Sequence, residues 1–187
     1  MGRIEEPRPV LLLLAAFSRD REAFTWVRET AQSAWGSIAL TSDVFDFEET
    51  DYYEPTMGAN LKKVFFVFHR LIDPAGLLAL KRRTNRWEAT YAKMGQQSVP
   101  NSRVDRPLNL DPGYLTEAKL ILASTKDHTH RIYLSRGIYA EVTLHFRGGG
   151  WQSHDWTYPD YRRKEYHIFF TQCREYLRRR LSGDGTP

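Results

Sequence analysis

Eight consecutive apolar residues, Val10 to Phe17 (VLLLLAAF), constrain this chain more than any other feature. The run is far shorter than the roughly 20 residues that a helix needs to cross a bilayer, and no small-residue cleavage site follows it. Because a strand turns alternate residues to opposite faces, a strand without polar alternation belongs inside a sheet and is covered on both sides. Gly2 does not open a myristoylation signal, since Glu6 stands where that motif needs Ser or Thr.

The segments that follow carry their own punctuation. Ser18 is placed to cap a helix with Asp20 and Glu22 in its first turn, a stripe of Phe24, Val27, Ala31, Ala34 and Trp35, and Gly36 at its end. Ile38 to Phe47 reads as a strand, and Leu61 to Ile72 as a second, more buried one. Asp73 and Pro74 supply an N-cap and a first-turn proline to a helix carrying Leu77, Leu80, Thr84, Trp87, Tyr91 and Met94. Residues 95–107 (GQQSVPNSRVDRP) have almost nothing to bury and are expected to form a flexible loop. A short strand near Leu108 leads to a turn at Asp111-Pro112-Gly113. Residues 115–125 suit either strand or helix, with Thr116 to Lys119 tilting the reading to a short helix. Thr157, with Asp160 three residues on, is expected to cap a final helix that buries Tyr166, Phe169, Phe170, Cys173 and Leu177. Residues 182–187 form a fraying tail.

Residues 1–187 are therefore expected to form a single α+β domain. Its one mostly antiparallel sheet would carry helices on one face, beginning as a ferredoxin-like βαββα unit with an added β-hairpin and C-terminal helix.

The hairpin spans His130 to Phe146 (HRIYLSRGIYAEVTLHF). A three-residue loop, Ser135-Arg136-Gly137, with Gly137 at positive φ, sets Leu134 opposite Ile138. It also gathers Ile132, Leu134, Ile138, Ala140, Val142, Leu144 and Phe146 on one face. The other face then holds Arg131 opposite Glu141, the facing pair Tyr133 and Tyr139, and Thr143 and His145.

The single cysteine, Cys173, excludes an internal disulfide or a Cys-rich zinc site and fits a reducing cytoplasm, where the protein is expected to reside. The net charge of +4 is modest. The basic runs at 81–83, 162–164 and 178–180 read as solvated helix faces, so nucleic acid is a possible partner but not a favoured one, and no membrane partner is expected. Neither a P-loop, nor a G-x-S-x-G elbow, nor an H-E-x-x-H helix is present, and no metal is assigned.

Four runs, TDYYEPTMG (50–58), LNLDPGYL (108–115), LASTKDHTHRIYLSRGIYAEVTL (122–144) and WTYPDY (156–161), resemble in this order a bacterial family known as domain of unknown function 4416. The resemblance spans nearly the whole chain. It names no activity or cofactor beyond a GTP-binding label that some members carry automatically, and RGGGW (147–151) is a turn with no helix to open.

Anion binding is the functional class these residues suit best. Lys126 and Arg131 flank the hairpin entry, Glu141 is placed to hold the Arg131 fork, and Tyr133 or Tyr139 can stack a ring. The segment Asp111, Gly113, Tyr114 and the loop residues Asp51 and Tyr53 hold polar and aromatic groups that no core pattern explains, and all are expected to line one cleft. The expected partner is a phosphate-bearing small molecule or nucleotide. The other reading is a non-catalytic module that docks on protein or RNA through Tyr52, Tyr53, Tyr158, Tyr161 and the basic helices.

Overall fold

The computed structural model describes residues 2–98 and 104–183. In chain order the elements are β1 (Val10–Ser18), α1 (Arg21–Trp35), β2 (Ile38–Thr41), β3 (Phe45–Asp46), α2 (Glu54–Met57), β4 (Lys62–Ile72), α3 (Leu77–Ser98), β5 (Asn109–Leu115), β6 (Lys119–Ser124), β7 (Ile132–Ser135), β8 (Ile138–Arg147), β9 (Gly150–Ser153) and α4 (Lys164–Ser182). One sheet runs β2-β4-β1-β5-β6-β8-β7, with β3 added to β4 and β9 to β8. Each of these pairings is antiparallel.

Strand β4 lies between β1 and β2, so β1-α1-β2-β4-α3-β5 is a complete split βαβ arrangement of the ferredoxin-like kind, extended at β5 by β6, β8 and β7. No helix among the described residues is long and apolar enough to cross a membrane.

The two-sided apolarity of β1 has its cause here. Leu12, Leu14 and Ala16 pack with Phe24, Val27, Ala31 and Trp35 of α1 and with Leu80, Trp87 and Tyr91 of α3, whereas Ala34 and Met94, expected on these stripes, are exposed. Leu11, Leu13 and Ala15 pack with Tyr166, Phe169, Phe170, Cys173 and Leu177 of α4. Helices thus cover both faces of the sheet: α1 and α3 share one, as expected, and α4 closes the other.

Several local expectations give way to tertiary structure. Asp20, not Ser18, caps α1 by accepting from the Glu22 amide, while Ser18 donates to the Pro107 carbonyl. The strand expected over 38–47 is interrupted into β2 and β3. Helix α3 continues through Ser98, into the segment expected to be a loop; residues 99–103 and 184–187 lie outside the described residues. Residues 119–124 are strand, not helix, and Asp111-Pro112-Gly113 lies inside β5 instead of forming a turn. Thr157 does not cap α4, whose N-cap is Arg163: its hydroxyl donates to the Thr143 carbonyl and accepts from the His154 amide, and the Asp160 carboxylate is taken by Lys63.

The hairpin combines features of two registers. Ser135 opposes Ile138 across Arg136 (φ 52°) and Gly137 (φ 75°), a two-residue loop with both residues left-handed. An irregularity between Tyr133 and Ser135 absorbs Leu134, so that Tyr133 still faces Tyr139 and Ile132 faces Ala140. Leu134 therefore does not oppose Ile138.

Nor do the apolar residues form one buried row. A second irregularity, opposite Leu120 and Ile121, sends Ile138, Ala140 and Val142 towards α3 and Leu144 and Phe146 towards α4. Ile132 is left 70% exposed, while Glu141 and Thr143, on the polar face, are buried. That polar face is covered by the chain on its way into α4.

Candidate functional site

Strands β5 and β6 pair only from Gly113↔Leu122 to Leu115↔Leu120. Upstream of Gly113 stands Pro112, which has no N–H to offer a ladder, and the strands part there. Gly113 itself lies so close to β6 that a Cβ would sit 2.2 Å from the Ile121 carbonyl oxygen. A cavity of about 740 Å³ lies around the diverging ends, lined by Asn109 and Asp111 of β5 and by Leu122 to Ser124 of β6.

Helix α3 supplies one wall through Lys81, Asn85 and Glu88, spaced four and three residues apart on one stripe. Lys81 Nζ donates to the Leu110 carbonyl at 2.7 Å and to Asp111 Oδ1 at 2.9 Å. Glu88 Oε1 accepts from the Leu110 amide at 2.7 Å. In an antiparallel strand a residue's N–H and C=O share one edge, so the helix satisfies backbone groups of β5 that β6, having turned away, does not reach. Asn109 Nδ2 donates to Asp111 Oδ2 at 2.7 Å, and Arg106 bonds Asn109 Oδ1 and lies 3.4 Å from Glu88.

The opposite wall comes from the α4 side. Lys63 Nζ, at the start of β4, lies 2.5 Å from Asp160 Oδ2, and both side chains are almost wholly buried. The ammonium stands 4.2 Å from the Tyr161 ring centre and within 5.8 Å of the rings of Phe17, Phe47, Phe65 and Tyr166. Arg131 Nε donates to Glu141 Oε2 at 2.6 Å, and its remaining contacts are to Ser124 Oγ, the Lys126 carbonyl and the Tyr158 hydroxyl. His130 and Thr143 complete the shell of Glu141 at 3.1 and 3.2 Å. Lys126 lies with Nζ 4.1 Å from the centre of the Tyr52 ring, itself 66% exposed.

These neighbours set the acid–base behaviour of the wall. Burial raises the Glu88 carboxyl above its usual range, and the nearby Lys81 and Arg106 only partly offset this. Burial also acts to raise Asp111, but the Lys81 charge and hydrogen bond override it and hold the carboxyl low. Tyr161 is held well above the ordinary phenol value, first by burial and then by the charges of Asp160 and Asp111, so it remains a hydrogen-bond donor.

Of the residues singled out from sequence, Lys126, Arg131, Glu141, Asp111 and Tyr53 line the cavity together. The others do not. Tyr133 and Tyr139 pack against each other outside it, their ring centres 5.3 Å apart and their planes tilted by 58°. Tyr114 packs with Leu77, Ile121 and Ile138, Gly113 serves the strand contact, and Asp51 opens a 3₁₀ turn capped by Thr50. Sequence reasoning missed Lys63, Lys81, Glu88, Asn109 and Asp160. Lys81 was read as part of a solvated run, although the polar stripe Lys81-Asn85-Glu88 beside Thr84 and Tyr91 is a signal that could have exposed it. Among the described residues no group of three or more His, Cys, Asp or Glu is placed to hold a metal ion.

The fold and site together define an α+β protein with a charge-lined cavity where two strands of its sheet part. Residues 8–176 match the family described as Domain of unknown function (DUF4416), and the chain belongs to that family. No curated protein and no solved structure matches it.

Proposed function

We propose that this protein binds a small, phosphate-bearing molecule in the cavity, with the anionic group at the Lys126 end. The carrying observation is a cation without an acidic partner. Each carboxylate lining the cavity has a cationic partner: Asp160 with Lys63, Asp111 with Lys81, Glu88 with Arg106, Glu141 with Arg131, and Glu49 with Arg163. Among the described residues Lys126 has no carboxylate within ion-pair distance and rests on an aromatic ring instead. The cavity thus offers, at its aromatic end, one cation without a carboxylate partner, which suits an anion attached to a body that fills the remainder.

Buried pairs support a binding or catalytic role better than a structural one, since such pairs contribute little net stability. Docking through exposed tyrosines draws less support: Tyr53, Tyr158 and Tyr161 line the cavity, and Arg162, Arg163, Arg174 and Arg178 are engaged with backbone carbonyls or glutamates.

The test is a thermal-shift series with inorganic phosphate, sugar phosphates and nucleoside phosphates, repeated with Lys126→Met. A ligand that binds only the native state raises its apparent stability. The expected result is a rise with a phosphate-bearing compound that shrinks at least tenfold in affinity in Lys126→Met. No rise with any of these compounds, or a rise indifferent to Lys126, overturns the reading.

A further inference from the structure

Four buried polar side-chain atoms have no hydrogen-bond partner among the described residues: the indole nitrogens of Trp35 and Trp151 and the hydroxyls of Tyr161 and Tyr166. Of these residues only Tyr161 lines the cavity, and it is 3% exposed. A buried hydroxyl without a partner loses its hydration and gains nothing in return, so its retention in a cavity wall points to a group that arrives from outside the protein.

The neighbouring residue supplies the complement. Asp160 Oδ2 is taken by Lys63, whereas Oδ1 has no protein partner among the described residues and stays an acceptor. A donor on Tyr161 and an acceptor on Asp160, adjacent in the chain on one wall, match an alcohol, which accepts one hydrogen bond and donates another. Asp111, Asp160 and Glu141 all act electrostatically on the Tyr161 hydroxyl, which sets that hydroxyl among the polar groups of the cavity.

We infer that the Tyr161–Asp160 wall of the cavity is a hydroxyl-binding subsite, and that the ligand is a phosphorylated polyhydroxylated molecule such as a sugar phosphate. Its phosphate lies at Lys126 and an alcohol of its body lies between Tyr161 and Asp160. This inference rests on the phosphate-binding reading above. It adds the chemistry of the neutral part of the ligand and distinguishes it from a phosphate on an apolar body. Lys63, itself set among aromatic rings, fixes the Asp160 carboxylate in place.

Calorimetric titration of wild type and Tyr161→Phe with inorganic phosphate, methyl phosphate, ribose 5-phosphate and glucose 6-phosphate tests it, alongside denaturant unfolding of both unliganded proteins. Wild type is expected to bind at least one sugar phosphate tenfold or more tighter than methyl phosphate. Tyr161→Phe is expected to lose most of that margin, to bind methyl phosphate or inorganic phosphate as wild type does, and to be at least as stable when unliganded.

A wild type that binds all four phosphates equally overturns the hydroxyl subsite and leaves the phosphate site standing. Binding of none of them overturns both. An unliganded Tyr161→Phe that is clearly less stable than wild type shows the hydroxyl to serve the fold, and this also overturns the inference.

Discussion

Arg131 Nε lies 2.6 Å from Glu141 Oε2, with only 3% and 2% of the two side chains exposed. The pair joins the loop before β7 to the middle of β8 and is shut beneath the segment leading to α4. Had this been an open sheet face, losing Arg131 would change stability by less than about 1 kcal/mol. A buried carboxylate stripped of its partner behaves differently: Arg131→Ala is expected to destabilise by roughly 3–5 kcal/mol. Arg131→Met combined with Glu141→Gln should recover much of the loss, because no uncompensated charge then stays inside. Urea unfolding of wild type and the two variants checks this, and a loss below about 1 kcal/mol in Arg131→Ala would show the pair to be solvated.

Gly113 is required by proximity and not by an unusual φ. A Cβ there would stand 2.2 Å from the Ile121 carbonyl oxygen and 2.6 Å from Leu122 Cδ2. Relief means moving β6 away from β5 at the last pair before the strands diverge. Gly113→Ala should therefore destabilise by roughly 1–3 kcal/mol, as overpacking does elsewhere. Unfolding measurements read the loss, and Gly149→Ala is no equivalent control, since its φ of 84° adds strain of another kind. Gly76→Ala, with open space around the added methyl, is the proper comparison and should change stability far less.

Glu88 gives the cavity a pH signature. Its folded-state pKa is raised, chiefly by burial, above an unfolded value of about 4.3. The protonated form is thus favoured by folding, and the associated stability is fully present below the unfolded value and lost as pH rises through the folded one. Glu88→Gln stays neutral throughout and keeps an oxygen for the Leu110 amide. Its stability relative to wild type should improve from about pH 4 to about pH 7; a difference that is flat or falls with pH across denaturant curves would contradict the assignment.

Arg136 occupies the first position of the hairpin loop at φ 52°, a conformation that costs a branched or long L residue roughly 1–2 kcal/mol. Asparagine before glycine is the preferred pair for this turn. Arg136→Asn should stabilise by up to about 1 kcal/mol, whereas Gly137→Val, at φ 75°, should destabilise by more than that. Thermal unfolding of the two variants should move in opposite directions.

The sequence by itself determined the central place of β1, the buried stripe of α4, those of α1 and α3 apart from the exposed Ala34 and Met94, the Asp73-Pro74 start of the long helix and the positive φ of Gly137. Each depends on a period or a turn only a few residues long, which neighbouring side chains declare without help from distant chain. Five members of the cavity were also legible, because Lys126, Arg131, Glu141, Asp111 and Tyr53 are polar or aromatic groups that no local period needs.

Only the tertiary structure decided the rest. Asp111-Pro112-Gly113 has the composition of a turn, yet Asp111, Pro112 and Gly113 pair with Ala15, Leu14 and Leu13, almost a hundred residues away, and that ladder overrides local preference. The hairpin face bearing Glu141 alternates as an exposed face does, but Tyr158 to Tyr161 arrive over it from the far end of the chain. Lys63 and Lys81 look like ordinary surface cations in sequence and become buried because Asp160 and Asp111, distant from them in the chain, supply the opposite charges. Burial of a charge depends on its partner, and a partner brought in from another element leaves no mark on the residues around either one.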